Sequence, residues 1–179
     1  MSKWNLSNDV IDILRNSATL AVSYHCSRIT VEHIFLELLK GNYPILDTIF
    51  EQQNTNIQSI ITDILLKIKE QADNVDVPIQ QLPLIKQAIS LLDLSALQSK
   101  KYNSPTIEVE HLLLRFTVQP NAYPQQILEQ YGISNSVVKS YLNKKGVSPF
   151  QDDGLFFTDS KTPDSDEFPA YFQTFLQVK

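Results

Sequence analysis

The sequence is poor in glycine and in cysteine, and both shortages limit the fold. Only 4 of its 179 residues are glycine. Because glycine supplies many of the tight turns that join strands, so few glycines favour helices over a sheet. The single cysteine, Cys26, excludes an intrachain disulfide and suits a reducing compartment. We therefore expect an all-α fold in a cytoplasmic protein.

Basic residues and long apolar runs are also scarce. The chain has 15 Lys and Arg against 20 Asp and Glu, which gives a net charge of −5. A nucleic-acid surface needs clustered cations, so this charge argues against a nucleic-acid partner. No apolar stretch approaches the ~20 residues needed to span a bilayer, and the N-terminal residues do not form a signal peptide. We expect neither a nucleic-acid nor a membrane partner.

The sequence lacks the motifs that usually mark an enzyme. It contains no GxxxxGKS or GxxxxGKT phosphate loop, no GxSxG elbow, no CxxC pair and no HExxH. A reactive thiol at Cys26 would need a microenvironment that lowers its pKa, and a lone cysteine is more often a small packing residue. We expect a chain without enzymatic activity, without an ATPase site and without a cofactor.

The chain contains an internal repeat with an offset of 78 residues. ITVEHIFLELL, residues 29–39, matches IEVEHLLLRFT, residues 107–117, without a gap. In repeat proteins such matches mark equivalent structural positions. We therefore expect one domain of about residues 1–146, made of repeat 1 (about 7–70) and repeat 2 (about 83–146). The polar segment DNVDVPIQQ links the two repeats.

Each repeat is predicted to form four helices. In repeat 1, Ser7 precedes apolar residues at helical spacing, and Thr30 begins a second amphipathic stretch that stops at Gly41. Pro44 occupies the first turn of a short third helix, and a fourth helix runs over about residues 55–70. Repeat 2 follows the same pattern. The predicted fold is all-α, with two pseudo-symmetric four-helix repeats and about eight helices.

The dipeptide EH occurs once in each repeat, as Glu32–His33 and Glu110–His111. A metal site would pair the two histidines, with the two acids as further ligands. The alternative is that each histidine packs or caps at the start of its helix. Each acid lies in a first helical turn, where the helix N-terminus stabilises a carboxylate. Two acids related by a pseudo-twofold axis also suit a cationic ligand group, such as an arginine or a peptide N-terminus.

The doubled pattern ATLAVSYHCSRITVEHIFLELL and ALQSKKYNSPTIEVEHLLLRFT resembles the Clp N-domain of AAA+ unfoldases, over about residues 5–146. The resemblance implies a compact bundle of eight helices on a tether above an ATPase ring. It implies recruitment of a protein substrate or adaptor peptide for unfolding or disassembly, with the AAA+ ring in cis or in trans. The alternatives are a stand-alone Clp-N-like adaptor protein and the N-domain of a type VI secretion sheath-recycling ATPase.

The resemblance also implies candidate site residues. In ClpC-like members the acids of the EH motifs bind phosphorylated arginine, whereas ClpB-like members use an apolar groove and type VI members capture a helix of the sheath. The matching acids here are Glu32 and Glu110, and Val31 and Val109 precede them where a GTEH motif has threonine. These four are the candidate peptide- or adaptor-binding residues. The EVEHLLL block is closer to ClpB and type VI members.

The tail, residues 147–179, differs in composition from the repeats. It is acidic and contains proline, and it holds seven aromatic residues: Phe150, Phe156, Phe157, Phe168, Tyr171, Phe172 and Phe175. Disordered linkers are usually poor in aromatic residues. Our hypothesis is that Phe156, Phe157 or the Phe168–Phe175 group docks on an apolar groove of the helical domain, or of a neighbouring molecule, and competes there with a bound peptide.

Deleting residues 150–179 should strengthen the binding of an unfolded or adaptor-derived peptide, because the competing aromatic surface is removed. Each Å² of apolar surface that leaves water stabilises a contact by about 25 cal/mol, so several aromatic side chains form a measurable competitor. Calorimetric titration of both chains with the same peptide measures the difference. Equal affinities, together with unprotected amide exchange in the tail, would show that the tail is only a tether.

Overall fold

The structure, a computed structural model, describes residues 3–144, which form eight α-helices. In repeat 1 they are α1 (Asn8–Ser23), α2 (Val31–Lys40), α3 (Pro44–Gln52) and α4 (Ile57–Glu70). In repeat 2 they are α5 (Lys86–Lys101), α6 (Val109–Phe116), α7 (Tyr123–Gln130) and α8 (Asn135–Lys144), and a 3-10 turn at Ile79–Gln81 lies between the repeats. The prediction of an all-α fold with two four-helix repeats is confirmed.

The predicted tail and the docking of its aromatic residues lie outside the described residues. The division into a domain of residues 1–146 and a tail of residues 147–179 therefore stays a prediction. Within residues 3–144, no helix combines the length and the apolar character that a membrane span requires.

The starts and ends of the helices follow mostly from local side chains. The Ser7 Oγ accepts a hydrogen bond from the Val10 N–H at 3.4 Å, and the Asn56 Oδ1 accepts one from the Gln58 N–H at 2.9 Å. Gly41 ends α2 for another reason than the left-handed cap that glycine often supplies. Its φ is −75°, and a Cβ at this position would overlap the ring of Tyr43. A larger side chain here would therefore require the Tyr43 ring to move.

Reciprocal backbone pairing joins the two repeats. The segment before α1 pairs with the segment before α6, because the Ile107 N–H donates to the Asn5 carbonyl at 2.8 Å and the Ile107 carbonyl accepts from the Ser7 N–H at 3.1 Å. The equivalent bonds run from the Ile29 N–H to the Pro83 carbonyl at 2.8 Å and from the Ile85 N–H to the Ile29 carbonyl at 3.0 Å. Each position differs by 78 residues from its equivalent. Each repeat thus supplies a pairing segment to the other.

A single hydrophobic core fills the space within and between the repeats. Every residue of α2 except Lys40 is buried, and α2 contacts α1, α4, α5 and α7. The rings of Phe35 on α2 and Phe116 on α6 meet with centroids 4.9 Å apart and planes tilted by 52°. Such aromatic pairs stabilise a core beyond the area that they bury. The repeats therefore depend on each other through packing as well as through backbone pairing.

Truncating Phe116 to Ala should destabilise both repeats together. A buried phenylalanine-to-alanine change costs about 3–5 kcal/mol, and Phe116 is fully buried against repeat 1. Denaturant unfolding should show a single transition at a lower denaturant concentration. The amides of α1 and α4, as well as those of α6, should lose protection from exchange. Leu97→Ala, at a position 43% exposed, is the control and should change stability little. Retained protection in α1 and α4 would show that the repeats unfold independently.

Candidate functional site

The two EH histidines cap their helices in the same way. The Thr30 N–H donates to His33 Nδ1 at 3.0 Å, and the Glu108 N–H donates to His111 Nδ1 at 2.9 Å. Both rings are buried. Burial lowers the pKa of His33 to about 4, and burial, partly offset by Glu108, lowers the pKa of His111 to about 4. Both imidazoles are therefore neutral near pH 7, with Nδ1 free to accept a hydrogen bond.

The structure thus supports the interpretation of His33 and His111 as capping residues. Within residues 3–144, no group of three or more His, Cys, Asp and Glu side chains is arranged to hold a metal ion. Cys26 is also buried, and burial together with Asp73 raises the pKa of its thiol. This side chain packs in the core as the sequence predicted.

The four candidate binding residues differ in exposure. Glu110 is partly exposed and lines a cavity of about 340 Å³, together with Tyr102, Asn103, Ser104, Pro105, Glu108, His111 and Leu142. Glu32 is only 6% exposed and does not line that cavity. Val31 and Val109 are buried in the core. Of the four, Glu110 offers the most accessible side chain.

The segment after α4 contacts the residues that precede Glu32. The Thr30 hydroxyl donates to the Gln71 Oε1 at 3.1 Å. The Ser27 N–H donates to the Asp73 Oδ1 at 2.9 Å. Gln71 caps α4, and Asp73 opens the segment that links the repeats. The end of α4 and the linker therefore pack over the EH turn of repeat 1.

A cleft lined by seven apolar residues lies away from the EH motifs. It lies in repeat 1 between α1, α2 and α4, has a volume of about 550 Å³, and is called the repeat 1 groove below. Its apolar residues are Leu20, Tyr24, Leu36, Leu39, Ile57, Ile61 and Leu65, and its other residues are Lys40, Gly41, Asn42, Asp47 and Gln58. Five of the apolar side chains are only partly buried: Leu20, Tyr24, Ile57, Ile61 and Leu65. These side chains offer apolar surface to a partner.

The equivalent surface of repeat 2 has polar residues at four of these apolar positions. At the offset of 78 residues, the counterparts of Leu20, Ile57, Ile61 and Leu65 are Gln98, Asn135, Lys139 and Asn143. Repeat 2 builds the same arrangement of helices with these polar residues, so the fold does not require the apolar ones in repeat 1. A position-by-position comparison of the two repeats would have found this difference from the sequence.

A second cleft continues the repeat 1 groove. This α3 cleft has a volume of about 510 Å³ and is lined by Leu46, Asp47, Phe50, Glu51, Asn54, Thr55, Asn56 and Ile57. Because Asp47 and Ile57 line both clefts, the two adjoin each other and form one surface of repeat 1. Its apolar part lies along α4, and its acidic part lies along α3.

The sequence of the chain is similar to the N-terminal domains of Clp proteins. Residues 5–131 match the family model of the Clp repeat (R) N-terminal domain. The chain is 22% identical over 137 residues to chaperone protein ClpB of Bacillus cereus, an alignment that covers 75% of this chain and 16% of that protein. The chain therefore spans less than a fifth of the length of this relative.

Two solved structures share the fold. The Hsp104 N-terminal domain from Candida albicans superposes with a TM-score of 0.68 at 15% identity, covering 81% of this chain and 94% of the other. A structure described as part of preliminary structural investigations of a malarial protein secretion system gives a TM-score of 0.66 at 23% identity, covering 79% and 94%. At these identities the likeness concerns the fold alone.

Because the two capping histidines are neutral in the folded chain, we expect the free energy of unfolding to fall in acid. The pKa of each histidine is about 4 when folded and about 6.5 when unfolded, so the unfolded chain binds protons first as the pH falls. The stability from the neutral rings is complete above pH 6.5 and is lost as the pH falls through about 4. The loss is at most about 3 kcal/mol for each histidine.

His33→Gln tests this cap directly, because glutamine at the third helical position keeps an acceptor for the Thr30 N–H but does not titrate in this range. At pH 7 we expect His33→Gln to be less destabilised than His33→Ala. Between pH 6.5 and 4, the free energy of unfolding should fall less in His33→Gln than in the unsubstituted chain. Urea unfolding across this pH range measures both effects. An unchanged pH dependence in His33→Gln would contradict the role of His33.

Proposed function

We infer, since this chain belongs to the Clp repeat (R) N-terminal domain family, that it is the protein-recognition module of a Clp-type AAA+ chaperone or unfoldase. In this proposal it binds substrate or adaptor segments and carries no ATPase activity itself. The observation that supports it most is the repeat 1 groove, in which Leu20, Ile57, Ile61 and Leu65 have polar counterparts in repeat 2. In this proposal an AAA+ ring, in cis or in trans, receives the bound segment for unfolding or disassembly.

The chemistry of the groove suits an apolar protein segment. Ile57, Ile61 and Leu65 are four residues apart on α4, so they form one stripe along one side of the groove. Leu20 on α1 and Tyr24, the residue that caps α1, are also four residues apart and line the same groove. A groove lined by apolar residues at helical spacing suits the apolar face of an amphipathic helix.

Pairing of a partner strand with the backbone has less support. The two isolated bridges within residues 3–144 already join the repeats to each other, through Ile29 and Ile107. The backbone groups of these two residues are used in that pairing. Side-chain burial in the groove is therefore the proposed source of affinity, at about 25 cal/mol for each Å² of apolar surface.

The EH turns are proposed as a second contact with the partner. Glu110 lines its cavity beside Glu108, and two carboxylates in one cavity suit a cationic group. Glu32, Val31 and Val109 are buried, so their proposed role is to hold the EH turns in position. A cationic group of the partner would then add to the affinity from the groove.

Replacing the groove residues by their repeat 2 counterparts should weaken binding of an unfolded protein by roughly tenfold or more. The variant is Ile57→Asn, Ile61→Lys and Leu65→Asn, made in the full chain. Repeat 2 carries these residues at the same positions, so we expect the fold to tolerate them. Binding is measured by anisotropy with fluorescently labelled, reduced and carboxymethylated α-lactalbumin, and folding by circular dichroism.

Leu66→Lys is the matched control for this variant. Leu66 is 55% exposed, does not line the groove, and has Lys144 as its counterpart in repeat 2. It removes one exposed leucine from α4 and adds the same charge as Ile61→Lys. The proposal predicts unchanged binding for this control. A folded triple variant that binds as tightly as the unsubstituted chain would refute the groove as the recognition site.

A further inference from the structure

We propose that the segment bound in the repeat 1 groove carries an arginine or lysine beside its apolar residues, and that Asp47 and Glu51 bind this cation. This inference rests on the proposed function, because it assigns the chemistry of the partner at that same groove.

The position of the acids follows from the direction of α4. Gln71, just after α4, contacts Thr30 at the start of α2, so α4 runs back along α2. The first residue of α4, Ile57, therefore lies at the other end of α2, where it lines the groove with Lys40 and Asp47. The apolar stripe on α4 thus leads towards α3 and its acids.

Asp47 and Glu51 form an acidic pair on one face of α3. They are four residues apart, which places them one turn apart on the same side of a helix, and both are exposed. They are the two charged residues that line the α3 cleft. The cleft therefore carries negative charge at the end of an apolar groove.

The described cations nearby do not neutralise this pair. Lys40 is the one cation that lines the groove, and its Nζ lies 2.8 Å from Glu37 Oε1. Within residues 3–144, no ion pair includes Asp47 or Glu51. Like charges at this spacing oppose helix formation. A cation from a partner would relieve the repulsion between them.

Repeat 2 shows what the fold does with this position when no cation is needed. The counterparts of Asp47 and Glu51 are Gln125 and Glu129. The Gln125 Nε2 donates to the Glu129 Oε2 at 3.1 Å, so the pair on α7 is satisfied within its own helix. Repeat 1 has a carboxylate in place of the amide. The second negative charge, that of Asp47, is therefore present in repeat 1 alone and is not required by the fold.

Three synthetic helical peptides test the inference with the full chain. Each is about 16 residues long, enough for about four turns, with leucines on one face and alanine and glutamine elsewhere. One carries two arginines at its N-terminal end, one carries them at its C-terminal end, and one has glutamines instead. Since the orientation of a bound helix decides which end reaches α3, one arginine peptide should bind about three- to tenfold tighter than the glutamine peptide at low salt.

The acids are tested by the variant Asp47→Gln with Glu51→Gln. It should bind the arginine and glutamine peptides equally, because it no longer provides a carboxylate for the cation. Raising the salt to about 0.3 M should reduce the preference of the unsubstituted chain for the arginine peptide, because salt screens exposed charges. Glu129→Gln, which removes one acid from repeat 2, is the control and should keep the preference. Thermal unfolding of each variant checks that the fold is intact.

The possible outcomes separate this inference from the proposed function. Equal binding of all three peptides to the unsubstituted chain overturns the inference. The groove remains the proposed recognition site in that case if the triple groove variant binds all three peptides more weakly. A preference that survives in the Asp47→Gln and Glu51→Gln variant, or that disappears in Glu129→Gln, also overturns it. If no peptide binds the unsubstituted chain, or if the triple groove variant binds all of them unchanged, both the inference and the proposed function fail.

Discussion

Four backbone hydrogen bonds at Ile29 and Ile107 are the contacts on which the rest of the structure depends. Each isoleucine comes one residue before the residue that caps α2 or α6, so its pairing with the other repeat positions the following helix. The EH turn begins at the same point in each repeat. A shift in this pairing would move the capping histidine, the neighbouring acid and the buried helix together. The two EH turns are therefore held in position by contacts between the repeats.

The helices and the histidine caps could be predicted from the sequence, because both depend on residues close together in the chain. Ser7, Thr30 and Pro44 mark helix starts by local rules, and the offset of 78 residues transfers these rules to repeat 2. The pairing of Ile29 with Pro83 and Ile85 could not be predicted in this way. It involves single residues far apart in sequence and leaves no periodic pattern. The role of Gly41 was missed for a similar reason, because it depends on where the Tyr43 ring packs.

The candidate site was harder to predict than the fold, because the matched residues of the two repeats drew attention to the EH dipeptide. In the structure, that dipeptide serves the start of a helix in both repeats, and Val31 and Val109 before it are buried. Part of the repeat 1 groove is built from positions at which the repeats differ, such as Ile61 and Lys139. Residues shared by two copies of a fold report what the fold needs. Residues that differ are free to serve a partner.

The reciprocal pairing has the geometry of a contact between two identical subunits, in which each partner offers the same surface to the other. In a symmetric dimer of single repeats, any substitution would occur twice, and an apolar groove on one subunit would also appear on the other. Joining the two units in one chain, through the linker that contains Asp73, removes this constraint. One half can then expose an apolar groove while the other keeps a polar surface. The fused chain can thus expose an apolar groove on one repeat only. A symmetric pair would expose it on both subunits and would present more apolar surface for self-association.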